Sequence, residues 1–260
     1  MAMLNPILHR LLHGCQTMAY PNGPAPALPD RHGGALRVDA DRCAAGCTAC
    51  LDACPTAAVR RAGPDDRIRL DLGRCVFCKN CVDACPTQAI TSTNDPRLAA
   101  RCREDLRLGG AGREECRLAA ALDQKMRALF GRSLRLRQVS AGGCNACEAD
   151  TNVLGTIGWD LGRFGIQFVA SPRHADGLLV TGPVTANMRV ALEKTYAAVP
   201  EPKLVIAVGA CAIAGGPFVD SPLVANGVDA VLPVTLYIPG CPPHPLTILD
   251  GLLRLLGRLG

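Results

Sequence analysis

Residues 75–86 read Cys75-Val76-Phe77-Cys78-Lys79-Asn80-Cys81-Val82-Asp83-Ala84-Cys85-Pro86. The spacing C-x2-C-x2-C-x3-C-P is that of an iron–sulfur site. Three thiolates on one tight loop reach three corners of an iron–sulfur cube, and the fourth, a helical turn further on, points to a neighbouring cube. Pro86 has no N–H and fixes the backbone where the chain leaves the site. The pattern occurs twice. Residues 43–55 read Cys43-Ala44-Ala45-Gly46-Cys47-Thr48-Ala49-Cys50-Leu51-Asp52-Ala53-Cys54-Pro55, with one extra residue between the first two cysteines. Gly46 absorbs that insertion, because glycine reaches backbone angles closed to other residues. Each copy is flanked by strand-like runs, Leu36–Val38 and Ala57–Val59 in the first, Ile68–Leu70 and Ala89–Ile90 in the second. A zinc site would use four of these thiols and leave the duplication without a role. Crossed ligation groups Cys43, Cys47, Cys50 and Cys85 on one cluster, and Cys75, Cys78, Cys81 and Cys54 on the other.

Beyond Ser133 the pattern changes to buried apolar runs alternating with helical stretches. Strands are expected at Leu134–Val139, Ile166–Val169, Leu178–Thr181, Leu204–Val208 and Val234–Ile238, and helices at Glu148–Gly158, Ala186–Ala198 and Leu246–Leu256. This reads as an α/β domain with a parallel sheet, flavodoxin-like in outline. Cys144, Cys147, Cys211 and Cys241 follow three of those strands. In an open parallel sheet the loops after the carboxyl ends gather on one edge, so the four thiols are expected to meet there and hold a third [4Fe–4S] cluster. Inert buried cysteines would account for one such position but not for four flanked by Gly and Pro.

Composition limits the alternatives. The 260 residues carry 28 Lys and Arg against 23 Asp and Glu, with 15 cysteines but only five Phe, three Tyr and one Trp. So few rings and so small a net charge argue against a nucleic-acid reader. No apolar run approaches the roughly 20 residues that span a bilayer. Residues 1–14 lack the unbroken apolar core and small-residue cleavage site of a signal peptide, so a reducing cytoplasm is expected, where clustered cysteines mean metal or redox chemistry. The expected organisation is an arm over residues 1–35, a two-cluster domain over 36–93, a basic and partly helical linker over 94–132, and the α/β domain over 133–260. Residues 97–137 hold eleven basic and five acidic side chains, and Arg117–Phe130 has helical spacing ended by Gly131. That stretch reads as a solvated connector or as a docking surface for an acidic partner.

Residues 36–93 resemble two-cluster [4Fe–4S] ferredoxins, which implies an α+β ferredoxin-like fold. The motifs GGCNACEAD (142–150), SPRHADGLLVTGPVT (171–185), VGACAIAGGPF (208–218) and LYIPGCPPHP (236–245) resemble, as a set, the small electron-transfer subunit of complex-I-related, membrane-associated [NiFe] hydrogenases of the formate hydrogenlyase type. The N-terminal half, including MAYP at Met18–Pro21, is similar to the polyferredoxin subunit of the same complexes, so two subunits are fused here. The two-residue gap in Cys144-Asn-Ala-Cys147 resembles the hydrogenase form; the matching subunit of respiratory complex I has adjacent cysteines. In hydrogenase small subunits the residue matching Glu148 lies near the large-subunit interface, so Glu148 is a candidate for proton passage or partner contact; a helix-first-turn carboxylate favoured by the macrodipole is the equal alternative. Arg173 and His174 lie in a family-like motif and are candidates to tune the cluster. Cys15, Cys102 and Cys116 match no ligand pattern, and His244, after Cys241-Pro-Pro, reads as a surface or packing residue, with tuning of the cluster the alternative.

The resemblance implies an electron relay with three [4Fe–4S] clusters, not catalytic alone. Its partners would be a [NiFe] hydrogenase large subunit, an electron-donor module (formate dehydrogenase or a carrier) and integral membrane subunits, with the chain peripheral on the inner face of the cell membrane. The alternatives are a subunit of a complex-I-like quinone or other oxidoreductase without nickel, and a free-standing ferredoxin-type carrier. The amphipathic Leu246–Leu256 segment and the basic bridge favour a docked subunit over the last of these.

Overall fold

The computed structural model describes residues 6–29, 32–62, 66–109 and 114–259. After a short helix α1 (Pro6–His13), which leaves Ile7, Leu11 and Leu12 exposed, the N-terminal half is built from the duplicated pattern. Strand β1 (Leu36–Val38) opens the first copy, followed by helix α2 (Ala49–Asp52) and strand β2 (Val59–Ala62). Strand β3 (Arg67–Asp71), helix α3 (Asn80–Asp83) and strand β4 (Ile90–Ser92) make the second. The copies exchange partners: β1 pairs antiparallel with β4, and β2 with β3. β2 and β4 start later than the apolar pattern suggests. Ala57 and Gln88, at matching places after Cys54 and Cys85, have φ of 48° and 52°, and no strand passes through that conformation.

Over its described residues the basic bridge 97–137 is not a solvated connector. Strand β5 (Arg107–Gly109) adds to β3 as the third strand of its sheet. Leu98, Ala99 and Ala100 are buried, and Ala100 and Tyr237 exchange two backbone hydrogen bonds at 2.9 and 2.8 Å. The expected Arg117–Phe130 helix is limited to α4 (Gln124–Phe130), capped by the Asp123 carboxylate, which accepts from the Met126 N–H at 3.0 Å. The residues before it run along the core instead: Ala119 N–H donates to the Ala99 carbonyl and Leu122 N–H to the Leu255 carbonyl.

The C-terminal half contains β6 (Leu134–Ser140), α5 (Ala146–Val153), β7 (Ile166–Phe168), β8 (Gly177–Thr181), α6 (Ala186–Ala198), β9 (Leu204–Val208), α7 (Ala210–Ala214), β10 (Leu236–Ile238) and α8 (Pro245–Leu255). Its strands form one parallel sheet in the order β10-β9-β8-β6-β7, the flavodoxin-like arrangement. Every residue of β8 and β9 is buried, as expected of strands covered on both faces.

Helix α8 corrects the docking expectation placed on Leu246–Leu256. All its residues are buried in this chain, so it offers no face to a partner. Pro245 occupies its first turn, where a missing N–H costs nothing, and His244 Nδ1 accepts from the Leu246 N–H at 3.1 Å. Gly251 sits against Ala99; a Cβ there would come within 2.7 Å of the Ala99 Cβ. A single apolar cluster runs from Leu36, Ile68 and Leu108 to Val139, Val205 and Tyr237, so the two halves share one core. Among the described residues no helix is long and apolar enough to cross a membrane.

The MAYP segment is fastened to the C-terminal half. Arg163 donates to the carbonyls of Met18 (2.7 Å) and Tyr20 (2.6 Å), and the Tyr20 hydroxyl donates to Asp250 Oδ1 at 2.9 Å. Asp250 is itself ion-paired with Arg254 at 2.8 Å, and both are buried. Burial, reinforced by the Asp250 charge, holds the Tyr20 phenol well above its ordinary range, so it stays a donor at physiological pH. Asp250→Ala takes a buried charged acceptor from both Arg254 and Tyr20, whereas Tyr20→Phe removes one hydrogen bond. Asp250→Ala is therefore expected to destabilise the chain by about 3 kcal/mol, and Tyr20→Phe by only about 1 kcal/mol, read as shifts of the urea unfolding midpoint. Equal shifts would show that the Asp250–Arg254 pair adds nothing beyond the Tyr20 hydrogen bond.

Candidate metal centres

The N-terminal thiols are held by backbone amides at duplicated positions. Ala58 N–H donates to Cys54 Sγ and Ala89 N–H to Cys85 Sγ, both at 3.2 Å, and Phe77 N–H donates to Cys75 Sγ at 3.3 Å. Burial raises the Cys50 thiol, with Cys85, Cys43 and Cys47 adding to the effect. Burial pushes Cys75 up to about 12, with Cys81, Cys54 and Cys78 contributing, and pushes Cys81 up to about 11, with Cys54 and Cys78 next. These influences run mostly within the expected crossed sets, Cys43, Cys47 and Cys50 with Cys85, and Cys75, Cys78 and Cys81 with Cys54, but Cys50 of the first set also raises Cys81 of the second. The second set lines a small, tight pocket walled by Leu36, Val59 and Leu70.

The inserted residue of the first loop is accommodated locally. Gly46 has φ of 73°, but Phe77 before the second cysteine of the other loop has φ of 56°, so the left-handed turn belongs to both copies. The extra residue is taken up where Cys47 N–H reaches back to the Ala44 carbonyl at 3.2 Å. Arg61, which the sequence pattern did not single out, spans this loop. Its guanidinium donates to the Cys47 carbonyl at 2.8 Å and lies 3.7 Å from Cys43 Sγ.

The C-terminal thiols follow the carboxyl ends of β6, β9 and β10, beside the β6/β8 switch point of the sheet. Asn145 (φ 70°) opens α5 as Lys79 (φ 64°) opens α3, so the two Cys-x-x-Cys turns are alike. Two glycines make room for sulfur: a Cβ on Gly209 would lie 2.6 Å from Cys147 Sγ, and one on Gly216 2.8 Å from Cys211 Sγ. Burial holds Cys147 far above its ordinary range, with Cys211, Glu148, Cys241 and Cys144 reinforcing it. Burial pushes Cys211 up to about 11, helped by Cys241 and Cys144, and raises Cys241, helped by Cys144.

Chemically, these buried thiols hold their protons tightly in the absence of metal, and they are good ligands for iron. Buried thiolates that repel one another need a compensating cation, and a coordinated metal deprotonates a thiol outright. Among the described residues no three Cys, His, Asp or Glu side chains are placed to hold a single metal ion, and Cys54, Cys75, Cys78 and Cys81 share one pocket. Donor type, backbone amides aimed at sulfur and glycine clearances all fit an iron–sulfur cluster.

Other residues take different places from those expected. Arg173 and His174 are exposed in a turn that leads into the amino end of β8, whereas the thiols follow carboxyl ends, so the expected tuning role loses its geometric basis. Cys15 and Cys102 are exposed, and Cys116 Sγ donates to the Leu98 carbonyl at 3.4 Å. Val76 and Phe77 of the second cysteine loop face Cys241 and His244 across a cavity of about 440 Å³ that His32 and Asp150 also line. The His244 ring lies 5.4 Å from that of His32 and 5.9 Å from that of Trp159. Glu148 is buried, and its Oε1 accepts from Thr181 Oγ1 at 2.7 Å across the switch point. Thr181→Val keeps the shape but removes that donor from a buried carboxylate. It is expected to cost about 1–3 kcal/mol in urea unfolding, with Glu148→Gln in the same background restoring part of the loss; no loss would show that Glu148 finds water instead.

The family described as NADH ubiquinone oxidoreductase, 20 Kd subunit, matches residues 144–255, and a 4Fe-4S dicluster domain matches residues 42–89. The chain is 43% identical over 129 residues to the probable membrane-bound hydrogenase subunit mbhJ of Pyrococcus furiosus, covering 50% of this chain and 77% of that protein. It is 44% identical over 118 residues to an NADH-quinone oxidoreductase protein, the B subunit, of Heliobacterium modesticaldum, covering 45% and 67%. Among solved structures, a chain of the membrane-bound sulfane sulfur reductase, an archaeal respiratory membrane complex, is 34% identical over 52% of this chain and 75% of that one, with a TM-score of 0.46. With dicluster-type thiols at its N-terminus and this C-terminal half, the chain belongs to the NADH ubiquinone oxidoreductase 20 kDa subunit family, as an iron–sulfur electron-transfer subunit of an oxidoreductase complex.

Proposed function

We propose that this chain is the electron relay of a membrane-associated [NiFe] hydrogenase complex of the formate hydrogenlyase kind, with three [4Fe–4S] clusters. Cys43, Cys47, Cys50 and Cys85 hold the first, Cys75, Cys78, Cys81 and Cys54 the second, and Cys144, Cys147, Cys211 and Cys241 the third. Residues 36–93 are then an α+β ferredoxin-like unit and residues 133–260 the hydrogenase-type unit, with 94–132 fastening one to the other. The observation that carries the reading is the cavity lined by both the Val76–Phe77 loop and the Cys241 loop, which supports a relay from the second thiol set to the third. When bound, the clusters supply one-electron steps at potentials governed by hydrogen bonds to sulfur, charge and exposure. The chain's own contribution is to aim the Ala58, Phe77 and Ala89 amides at sulfur, to clear space at Gly209 and Gly216, and to keep water out with Leu36, Val59 and Leu70.

The partners in this reading are a nickel-bearing large subunit next to Cys144 and Cys147, a formate dehydrogenase or carrier as donor, and integral membrane subunits, with the chain peripheral on the cytoplasmic face. The relative named as a membrane-bound hydrogenase subunit supports it. A second reading, a complex-I-like quinone oxidoreductase without nickel, draws on the NADH-quinone oxidoreductase relative. The two-residue gap between Cys144 and Cys147 favours the first.

Iron and sulfide assay of the anaerobically purified chain is expected to give about twelve irons. About eight would mean one empty thiol set, and recovery of no nickel-bearing large subunit with the tagged chain would overturn the hydrogenase reading. Ligand removal distinguishes positions on the relay. Cys144→Ser should abolish hydrogen evolution with both the physiological donor and a small dye. Cys78→Ser should abolish only the former, because a dye reaches the inner cluster directly. Cys102→Ser, at an exposed thiol outside the sets, should change neither. Equal dye-driven losses in assembled Cys78→Ser and Cys144→Ser complexes would refute the series arrangement.

A further inference from the structure

The outer face of the three-stranded sheet carries an arrangement that the relay reading does not use. Residues alternate across a strand, so Arg60 of β2 and Arg69 of β3 project to the same side, and the register sets them directly opposite each other. Like charges in that relation destabilise a sheet. Arg107 of β5, paired with Asp71, lies on the same side. Together with Arg74, these side chains line a cavity of about 470 Å³ whose acidic members are Asp71 and Glu104. Asp71 is engaged from behind by Arg103 through two hydrogen bonds of 2.6 Å. Among the described residues the cavity and its backing therefore hold five guanidiniums against two carboxylates. Among the described residues the buried Arg74 Nε meets no acceptor, and the guanidinium's ion pair is with the highly exposed Asp220, at 3.9 Å. Arg60 and Arg107 stand exposed at the rim.

The floor of this cavity abuts the second thiol set. Ala58, which lines it, donates its N–H to Cys54 Sγ, and Arg74 directly precedes Cys75. The geometry points to a docking site for an acidic one-electron carrier protein, which inserts carboxylates among Arg60, Arg69, Arg74 and Arg107. A broad basic sheet with an exposed rim suits a protein surface, and guanidinium forks suit carboxylates. Docking there brings the carrier's redox centre against the chain where Cys54 and Cys75 lie. One electron leaves the carrier, which is oxidised by one, and enters this chain, which is reduced by one; no bond forms or breaks. This rests on the relay reading and adds where its donor binds.

The test uses the full chain, loaded with iron and sulfide, and an acidic soluble ferredoxin as the probe. Binding is measured by calorimetry and electron entry by stopped-flow bleaching, each at several salt concentrations. Arg107→Glu, and Arg60→Glu with Arg107→Glu, are expected to weaken ferredoxin binding on the order of tenfold at low salt and to flatten its salt dependence. Reduction by the cationic dye methyl viologen should not slow. Arg107→Gln, which spares the strand from a reversed charge, should give a smaller change in the same direction. Unchanged binding in both Glu variants, or an equal loss in Arg189→Glu on the distant helix α6, would overturn the docking site while leaving the relay intact. Failure of the dye to reduce the unsubstituted chain would instead overturn the relay reading, and the docking site with it.

Discussion

Thiols buried together are the constraint on which the rest of this structure depends. Desolvation and mutual repulsion both oppose the thiolate form at Cys75, Cys81, Cys147 and Cys211, and proximity makes each worse for its neighbours. A fold that gathers such groups is stable in their ionised form only with metal charge between them. The backbone amides on Cys54, Cys75 and Cys85 and the missing side chains at Gly209 and Gly216 serve the same end, because they supply dipoles and space where a larger anionic group must fit. Local strain follows from it as well. Left-handed Phe77, Lys79 and Asn145 turn the chain sharply enough to put sulfurs on one side of short loops.

The second requirement is that the thiol sets keep a fixed separation, and the connecting segments meet it. Residues that read as linker are structural: β5 completes the N-terminal sheet, Ala100 pairs with Tyr237 beside the C-terminal sheet, and Leu122 hydrogen-bonds the end of α8. The arm is tied at Met18 and Tyr20 to Arg163 and Asp250, then passes His32 and Gly33 between the Phe77 loop and the Cys241 loop. A Cβ on Gly33 would come within 2.9 Å of the Phe77 Cβ, and one on Gly73 within 2.6 Å of Ile213 Cγ2 on α7. Such close approach leaves little freedom for one half to swing against the other.

What the sequence disclosed follows from which forces are local. The cysteine spacings, the duplication and the five parallel strands were legible because ligand loops and fully apolar strands write themselves as short patterns; β1 and β9 match their expected limits. The burial of α8 was not legible. Its apolar stripe is wide because Ala99, Leu122 and the sheet cover it, and periodicity does not say whether a stripe faces the same chain or another. The short α4 escaped for the same reason, since residues 117–122 have helical propensity but gain more by packing beside Ala99 and Leu255. At Arg173 and His174, nearness to a motif in sequence is not nearness in space; they enter β8 at the end away from the sulfurs. Arg61 and Thr181 carried no signal, because each acts across a distance in sequence that no spacing rule covers.

Duplication did not leave the two N-terminal sites electrically equal. Arg61 sets a guanidinium 3.7 Å from Cys43 Sγ, and the matching residue of the second copy is Ser92, which carries no charge. A cation beside a ligand sulfur favours the more reduced state of whatever that sulfur holds. Beside the second thiol set the positive charge lies instead on the outer face of the three-stranded sheet, at Arg60, Arg69, Arg74 and Arg107, open to an approaching partner. At the first thiol set basic charge acts on the site itself; beside the second set it acts on what comes to the site. The extra residue in the Cys43–Cys47 loop belongs with this division: it is taken up by the turn from Ala44 to Cys47, and the Cys47 carbonyl in that turn anchors the Arg61 guanidinium beside Cys43.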